Sequence, residues 1–133
     1  GKLLKEGDIV CLTGDLGAGK TVLSKGIAKG LGVAENVTSP TFTLIHEYMG
    51  KLPLYHFDVY RIASIEEMED MGYEEYFYGS GVCIIEWASI IKEIIPKAHL
   101  WIDIKTKGAY EREINIHGTT EHFLQIIEEL KKQ

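Results

Sequence analysis

The chain of 133 residues is poor in several things at once. It has three prolines and two cysteines, too few for a proline-rich spacer or a disulfide scaffold. Neither Cys11 nor Cys83 belongs to a C-x-x-C pair or to a Cys/His spacing of the kind that holds zinc. Both sit in apolar runs and read as buried free thiols, which suits a reducing cytoplasm. A basic surplus is lacking too: the net charge is −6, which argues against a broad cationic face for DNA or RNA. Any role with nucleic acid is then indirect, through a partner. No apolar run approaches the length that crosses a bilayer, and the front shows no signal-peptide pattern. A cytoplasmic protein without membrane association is expected. The length suits one hydrophobic core, so residues 1–133 are read as one domain without repeats.

What is present is "GDLGAGKT", Gly14 to Thr21. Its spacing is the G-x-x-x-x-G-K-[ST] loop, in which glycines let successive N–H groups turn inward onto a phosphate. In such a loop the lysine, here Lys20, reaches the β/γ-phosphates, and the hydroxyl, here Thr21, can ligate Mg²⁺. The spacing means something only between a strand and a helix, and both are predicted. Asp8 to Thr13 is a short apolar, β-branched run, as in a buried parallel strand. Leu23, Ile27 and Leu31 recur every fourth residue, and Gly32 stands where a helix would stop. The positive end of that helix would face the bound phosphate.

Further along, Phe42 and Leu44, then Leu54 to Val59, alternate around a turn at Met49-Gly50-Lys51, which predicts an antiparallel hairpin after Pro40. Ser64 and Glu67 form a capping box opening a short helix that Gly72 closes. Tyr73 to Tyr78 has no clear period. "GVCIIEW", Gly81 to Trp87, reads as a second buried strand, and "ASIIKEIIP" as a short helix stopped by Pro96. Two alternating runs, around Leu100 to Lys105 and Ile114 to Ile116, turn at Lys107-Gly108. A last helix carries Phe123, Ile126, Ile127 and Leu130 on one stripe. The expected fold is α/β: a P-loop NTPase-like domain whose sheet mixes parallel and antiparallel strands between flanking helices.

Hydrolysis or transfer needs a held metal and a group that positions the attacking oxygen. Glu86, closing the apolar strand, is one candidate. Asp58, inside the hairpin strand "YHFDVYR", is another, since an acid there must be paired, metal-bound or on the wet face. His56 shares its face and is read as a plain hydrogen-bonding partner, with a ligand role as the alternative. Thr38, Ser39 and Thr41 around Pro40 lie where switch loops sense a γ-phosphate, or they simply favour a turn. Trp87 is equally a partner surface or core. "EEMEDM" is read as a solvated helix face, with docking to a basic partner as the alternative.

In this order and spacing "GDLGAGKT", "TSPTFTLIHEY", "YHFDVYRI" and "IIEWA" resemble the TsaE family, from about Lys5 to Trp87 and more loosely to about Gly118. The resemblance implies a P-loop protein that binds ATP or ADP with Mg²⁺ and hydrolyses ATP. Its family partners are a TsaB and TsaD pair, which transfers a threonylcarbamoyl group to tRNA, so that tRNA is met only through the complex. ATP turnover would reset that complex rather than drive the transfer. Carried onto this chain, nucleotide contacts are expected at Asp15, Gly17, Ala18, Gly19, Lys20, Thr21, Val22 and Thr41. The metal is expected at Thr21, Glu86 and Asp58, and the catalytic role at Lys20, Asp58 and Glu86. Trp87 completes the family's E-W pair. Which acid meets Mg²⁺ and which positions water stays open. Members usually carry a further N-terminal stretch near the nucleotide base, ahead of the equivalent of "KEGDIV". The expectation is that this segment is missing from residues 1–133 and that the adenine pocket is incomplete.

Other classes compete. A small-molecule or nucleoside kinase also opens with a P-loop, but typically closes an arginine-bearing lid over the phosphates, and here only Arg61 and Arg112 are present. A GTPase-like switch would carry N-K-x-D, which is absent. A nucleotide-binding interaction module with negligible turnover is the rival from outside enzymology.

Overall fold

The protein was studied as a computed structural model, which describes residues 3–14, 19–35, 37, 45–108 and 111–131. Apolar runs that can be buried on both faces become the centre of the sheet, and half-apolar runs become its edges. Strand β1 (Ile9–Gly14) leads through the loop into helix α1 (Lys20–Gly30). Strands β2 (Ile45–Met49) and β3 (Pro53–Asp58) follow, then the short helices α2 (Ile65–Asp70) and α3 (Tyr73–Phe77). Strand β4 (Val82–Glu86) runs into a 3-10 helix over Ala88–Ile94, and β5 (Leu100–Thr106), β6 (Arg112–Gly118) and α4 (Glu121–Lys131) complete the order.

The six strands form one sheet in the order β2-β3-β4-β1-β5-β6. β3, β4, β1 and β5 are mutually parallel, and β2 and β6 add antiparallel edges. Side-chain alternation sends the two halves of each strand to different helix layers. Val10, Leu12, Leu54, Ile84 and Ile102 pack with Ile27 and Leu31 of α1 and Phe123 and Ile126 of α4. On the other face Ile9, Cys11, Phe57, Cys83 and Ile85 pack with Met68, Phe77 and Ile91. The mixed α/β architecture expected from the sequence is the one observed.

Several local expectations change. The hairpin forms with Ile45 opposite Phe57, while Phe42 and Leu44 lie outside the described residues. Ser64 does stand at the N-terminus of α2, but its side chain makes no capping hydrogen bond, so the capping box is positional only. Tyr73 to Phe77 is helical, because Tyr73 and Tyr76 pack around the buried Phe77 and supply a face that periodicity over so short a stretch did not reveal. In α4, Leu130 is 40% exposed, so the buried stripe stops at Ile127. The acidic residues of "EEMEDM" are exposed around a fully buried Met68, as a solvated face requires. Cys11 and Cys83 are free and buried as read, and burial raises both thiols, Cys83 to about 12. Among the described residues no helix is long and apolar enough to cross a membrane.

The turn joining β2 to β3 is pressed against the end of α1: Lys51 donates its N–H to the Leu31 carbonyl at 2.7 Å. A Cβ placed on Gly50 would meet that carbonyl oxygen at 2.3 Å, whereas one on Gly26, mid-helix, would meet nothing within 4 Å. Gly50→Ala is therefore expected to destabilise the fold by about 1–3 kcal/mol, and Gly26→Ala to stabilise it by about 0.5–1 kcal/mol. Urea unfolding of the two variants checks this; equal shifts would refute the packing of the turn on α1.

Candidate functional site

In an open parallel sheet the strand ends that point the same way create a shared rim, and the connections leaving them line it. Here β1 ends at Gly14, β3 at Asp58 and β4 at Glu86. Register fixes their heights: Leu12 pairs with Glu86, and Asp58 with Glu86. Backbone bonds tie the rim together, with Val59 donating to the Glu86 carbonyl at 3.3 Å and Trp87 to that of Leu12 at 3.0 Å. Because β4 lies between β1 and β3, Glu86 is the acid on the strand next to β1 and Asp58 sits one strand further out.

Helix α1 begins at this rim. Gly19 takes φ 108°, a left-handed backbone that glycine adopts without Cβ strain, and it turns the chain into the helix. Lys20 follows and is 5% exposed. Its ammonium donates to the Gly14 carbonyl at 2.7 Å and lies 4.2 Å from the centroid of the Trp87 ring, so a nearly buried cation is held by a dipole and a π-face. The Thr21 hydroxyl reaches Glu86 Oε1 at 3.4 Å. Glu86 Oε2 is bonded to His56 Nε2, and both residues are buried.

Asp58 is half-buried and accepts the Tyr60 N–H at 3.1 Å. Its carboxyl is raised above the ordinary value. Burial is the main cause and the Glu86 charge adds to it, against the lowering effects of the Tyr60 N–H, His56 and Lys20. These influences place Asp58 within electrostatic reach of Lys20, Glu86 and His56 together.

Trp87 has φ 63°, the only positive φ of a non-glycine among the described residues. A bulky residue in that region stores about 1–3 kcal/mol of strain unless its surroundings hold it there. The Tyr60 ring on one side, at 4.6 Å between centroids, and the Lys20 ammonium make those surroundings. Trp87 is thus neither plain core nor plain surface; it is a wall of the rim.

Of the residues expected from the sequence, Lys20, Thr21, Asp58 and Glu86 are brought together, and Gly19 stands at their edge. Val22 follows on α1 with its side chain 73% exposed. Asp15, Gly17, Ala18 and Thr41, with Thr38 and Ser39, lie outside the described residues. Tyr60 as the partner of Trp87 went unread, as did the chain in which the Trp101 indole donates to Thr13 Oγ1 at 3.1 Å and Thr13 donates to Asp103 at 2.8 Å. Tyr60 lies two positions beyond Asp58, but no spacing rule announces a stack between the turns that leave two different strands. Chemically the rim offers one ammonium beside a helix N-terminus, one hydroxyl and two carboxylates. Among the described residues no group of three or more His, Cys, Asp or Glu could hold a metal unaided. This set suits a hard cation whose shell is completed by phosphate oxygens and water.

Comparison with known proteins sets these residues in a wider frame. The family described as "Threonylcarbamoyl adenosine biosynthesis protein TsaE" matches residues 1–114. A Bacillus subtilis protein named tRNA threonylcarbamoyladenosine biosynthesis protein TsaE is 51% identical over 129 residues, 96% of this chain and 80% of its own. A Treponema pallidum protein of the same name is 48% identical over 116 residues, 87% of this chain and 86% of its own. Among solved structures, that of Bacillus subtilis YdiB superposes with a TM-score of 0.78 at 45% identity, covering 98% of this chain and 84% of that one.

The raised Asp58 carboxyl carries a pH signature. A carboxyl that binds its proton more tightly folded than unfolded stabilises the fold fully at low pH, and that contribution is lost as pH rises from the ordinary value of 3.8 through the raised one. Asp58→Asn keeps an acceptor for Tyr60 without the charge. It is expected to be more stable than the parent near neutral pH, with the difference closing below pH 3.8. Denaturant unfolding at both ends of that range measures it; a gain independent of pH would contradict the electrostatic account.

Proposed function

The chain belongs to the TsaE family, and from that premise we propose that it is an accessory ATPase of tRNA threonylcarbamoyladenosine biosynthesis, binding ATP with Mg²⁺ and acting beside proteins of the TsaB and TsaD kind. The observation that carries the ATPase reading is the Thr21–Glu86 contact at the first turn of α1. It pairs the loop hydroxyl with an acid on the strand next to β1, the arrangement that P-loop NTPases use for their metal.

In this reading Lys20 leaves the Gly14 carbonyl and the Trp87 ring to meet the β- and γ-phosphates, and the N-terminus of α1 adds its dipole. Thr21 and Glu86 would hold the cation. The bound Mg²⁺ would neutralise charge on the phosphates and polarise the terminal one. Asp58, one strand away from Glu86 and raised by burial, accepts a hydrogen bond from the attacking water and orients it. That division leaves Glu86 on the metal side and Asp58 on the water side. A net charge of −6 fits a protein that meets tRNA only through its partners, and the cytoplasm is the compartment where such a complex would work.

Phosphate release from Mg·ATP, with and without the purified partner pair, tests the proposal. Asp58→Asn is expected to lower turnover by about a hundredfold or more while leaving ATP affinity within about threefold. Lys20→Ala should abolish ATP binding. Turnover unaltered by Asp58→Asn would remove the water-side role, and ATP binding without any hydrolysis in the presence of partners would make the chain a binding module.

A further inference from the structure

One buried titratable side chain at the rim has no part in the chemistry above. His56 is fully buried, and its Nδ1 has no hydrogen-bond partner among the described residues. Its other nitrogen, Nε2, bonds to Glu86 Oε2. On β3 it stands opposite Ile84 of β4 and His46 of β2, and Asp58 lies two residues on along the same face. A polar ring placed here, where Leu54 two residues earlier is apolar and equally buried, leaves one atom unsatisfied at a cost that an aliphatic side chain would avoid. Orphaned donors are the rarer and costlier defect, and the tautomer that avoids one has its proton on Nε2, where it can donate to Glu86, and a bare lone pair at Nδ1.

Glu86 is then a carboxylate with its oxygens assigned: Oε2 receives His56, and Oε1 faces Thr21 at 3.4 Å. We propose that His56 is a positioning residue, its Nε2–H fixing the rotamer of Glu86 so that Oε1 alone is presented with the Thr21 hydroxyl to the cation. The inference rests on the reading that Thr21 and Glu86 share that cation. It adds the reason a buried histidine occupies this strand: a carboxylate free to rotate would offer both oxygens and a poorly defined direction, and groups behind metal ligands commonly decide affinity in this way.

Two readouts test it. In nitrogen-15 spectra of the nucleotide-free protein, the His56 ring is expected to carry its proton on Nε2. In calorimetry, Mg²⁺ is titrated into protein saturated with ATP for the parent, His56→Leu and His56→Gln. The leucine variant should need about tenfold more Mg²⁺ for half-saturation, with ATP affinity in EDTA unchanged. The glutamine amide, which reaches the place of Nε2 and can donate, should return to within about threefold of the parent. If the leucine variant does not fold, the glutamine variant and the spectrum decide. A proton on Nδ1, a leucine variant that titrates like the parent, or a folded glutamine variant as impaired as leucine would overturn the proposal. A parent without Mg²⁺-linked ATP binding would instead sink the shared-cation reading, with the Nε2–H clamp still decided by the spectrum.

Discussion

A single carboxylate holds the rim together. Glu86 sits at the end of the most buried strand, is 2% exposed, and is bonded to His56 from β3 while facing Thr21 from α1. An acid so enclosed is tolerable only when its oxygens are matched, so its partners are constrained as strongly as it is. The parallel register of β3, β4 and β1 supplies them at the right height, since Glu86 is level with Leu12 on one side and Asp58 on the other. The two apolar layers that fix the register therefore also fix the site.

Immediately after Glu86 the chain turns through a left-handed tryptophan. The Trp87 N–H bond to Leu12, the Tyr60 ring and the Lys20 ammonium together offset that strain. In exchange the wall of the rim is a rigid aromatic surface against the one cation the loop provides. Lys20 is thereby held in place, its charge met by a carbonyl dipole and a π-face.

Much of this was legible in the residues because the signals were local. Continuous apolar runs marked β1 and β4, a fourfold apolar recurrence marked α1, and the loop spacing marked Lys20 and Thr21 as chemistry. Asp58 and Glu86 stood out because acids are rare in such runs. The rest depends on contacts between segments far apart in the chain. That His56 faces Glu86, that Tyr60 stacks on Trp87, and that Trp101 leans on Thr13 follow from strand order, and a period-two pattern carries no information about which strand lies alongside. The short helix α3 was hidden for the same reason, its helical state being decided by what Phe77 packs against.

The central claim is that Thr21 and Glu86 act as one unit toward a shared cation, and a double-mutant cycle addresses it most directly. ATP affinity in the presence of Mg²⁺ would be measured for the parent, Thr21→Ala, Glu86→Gln and the double variant. Two ligands of one ion should be strongly coupled, with an interaction energy of about 1–3 kcal/mol that disappears when Mg²⁺ is withheld. Additive losses, or a coupling that persists without Mg²⁺, would contradict the account.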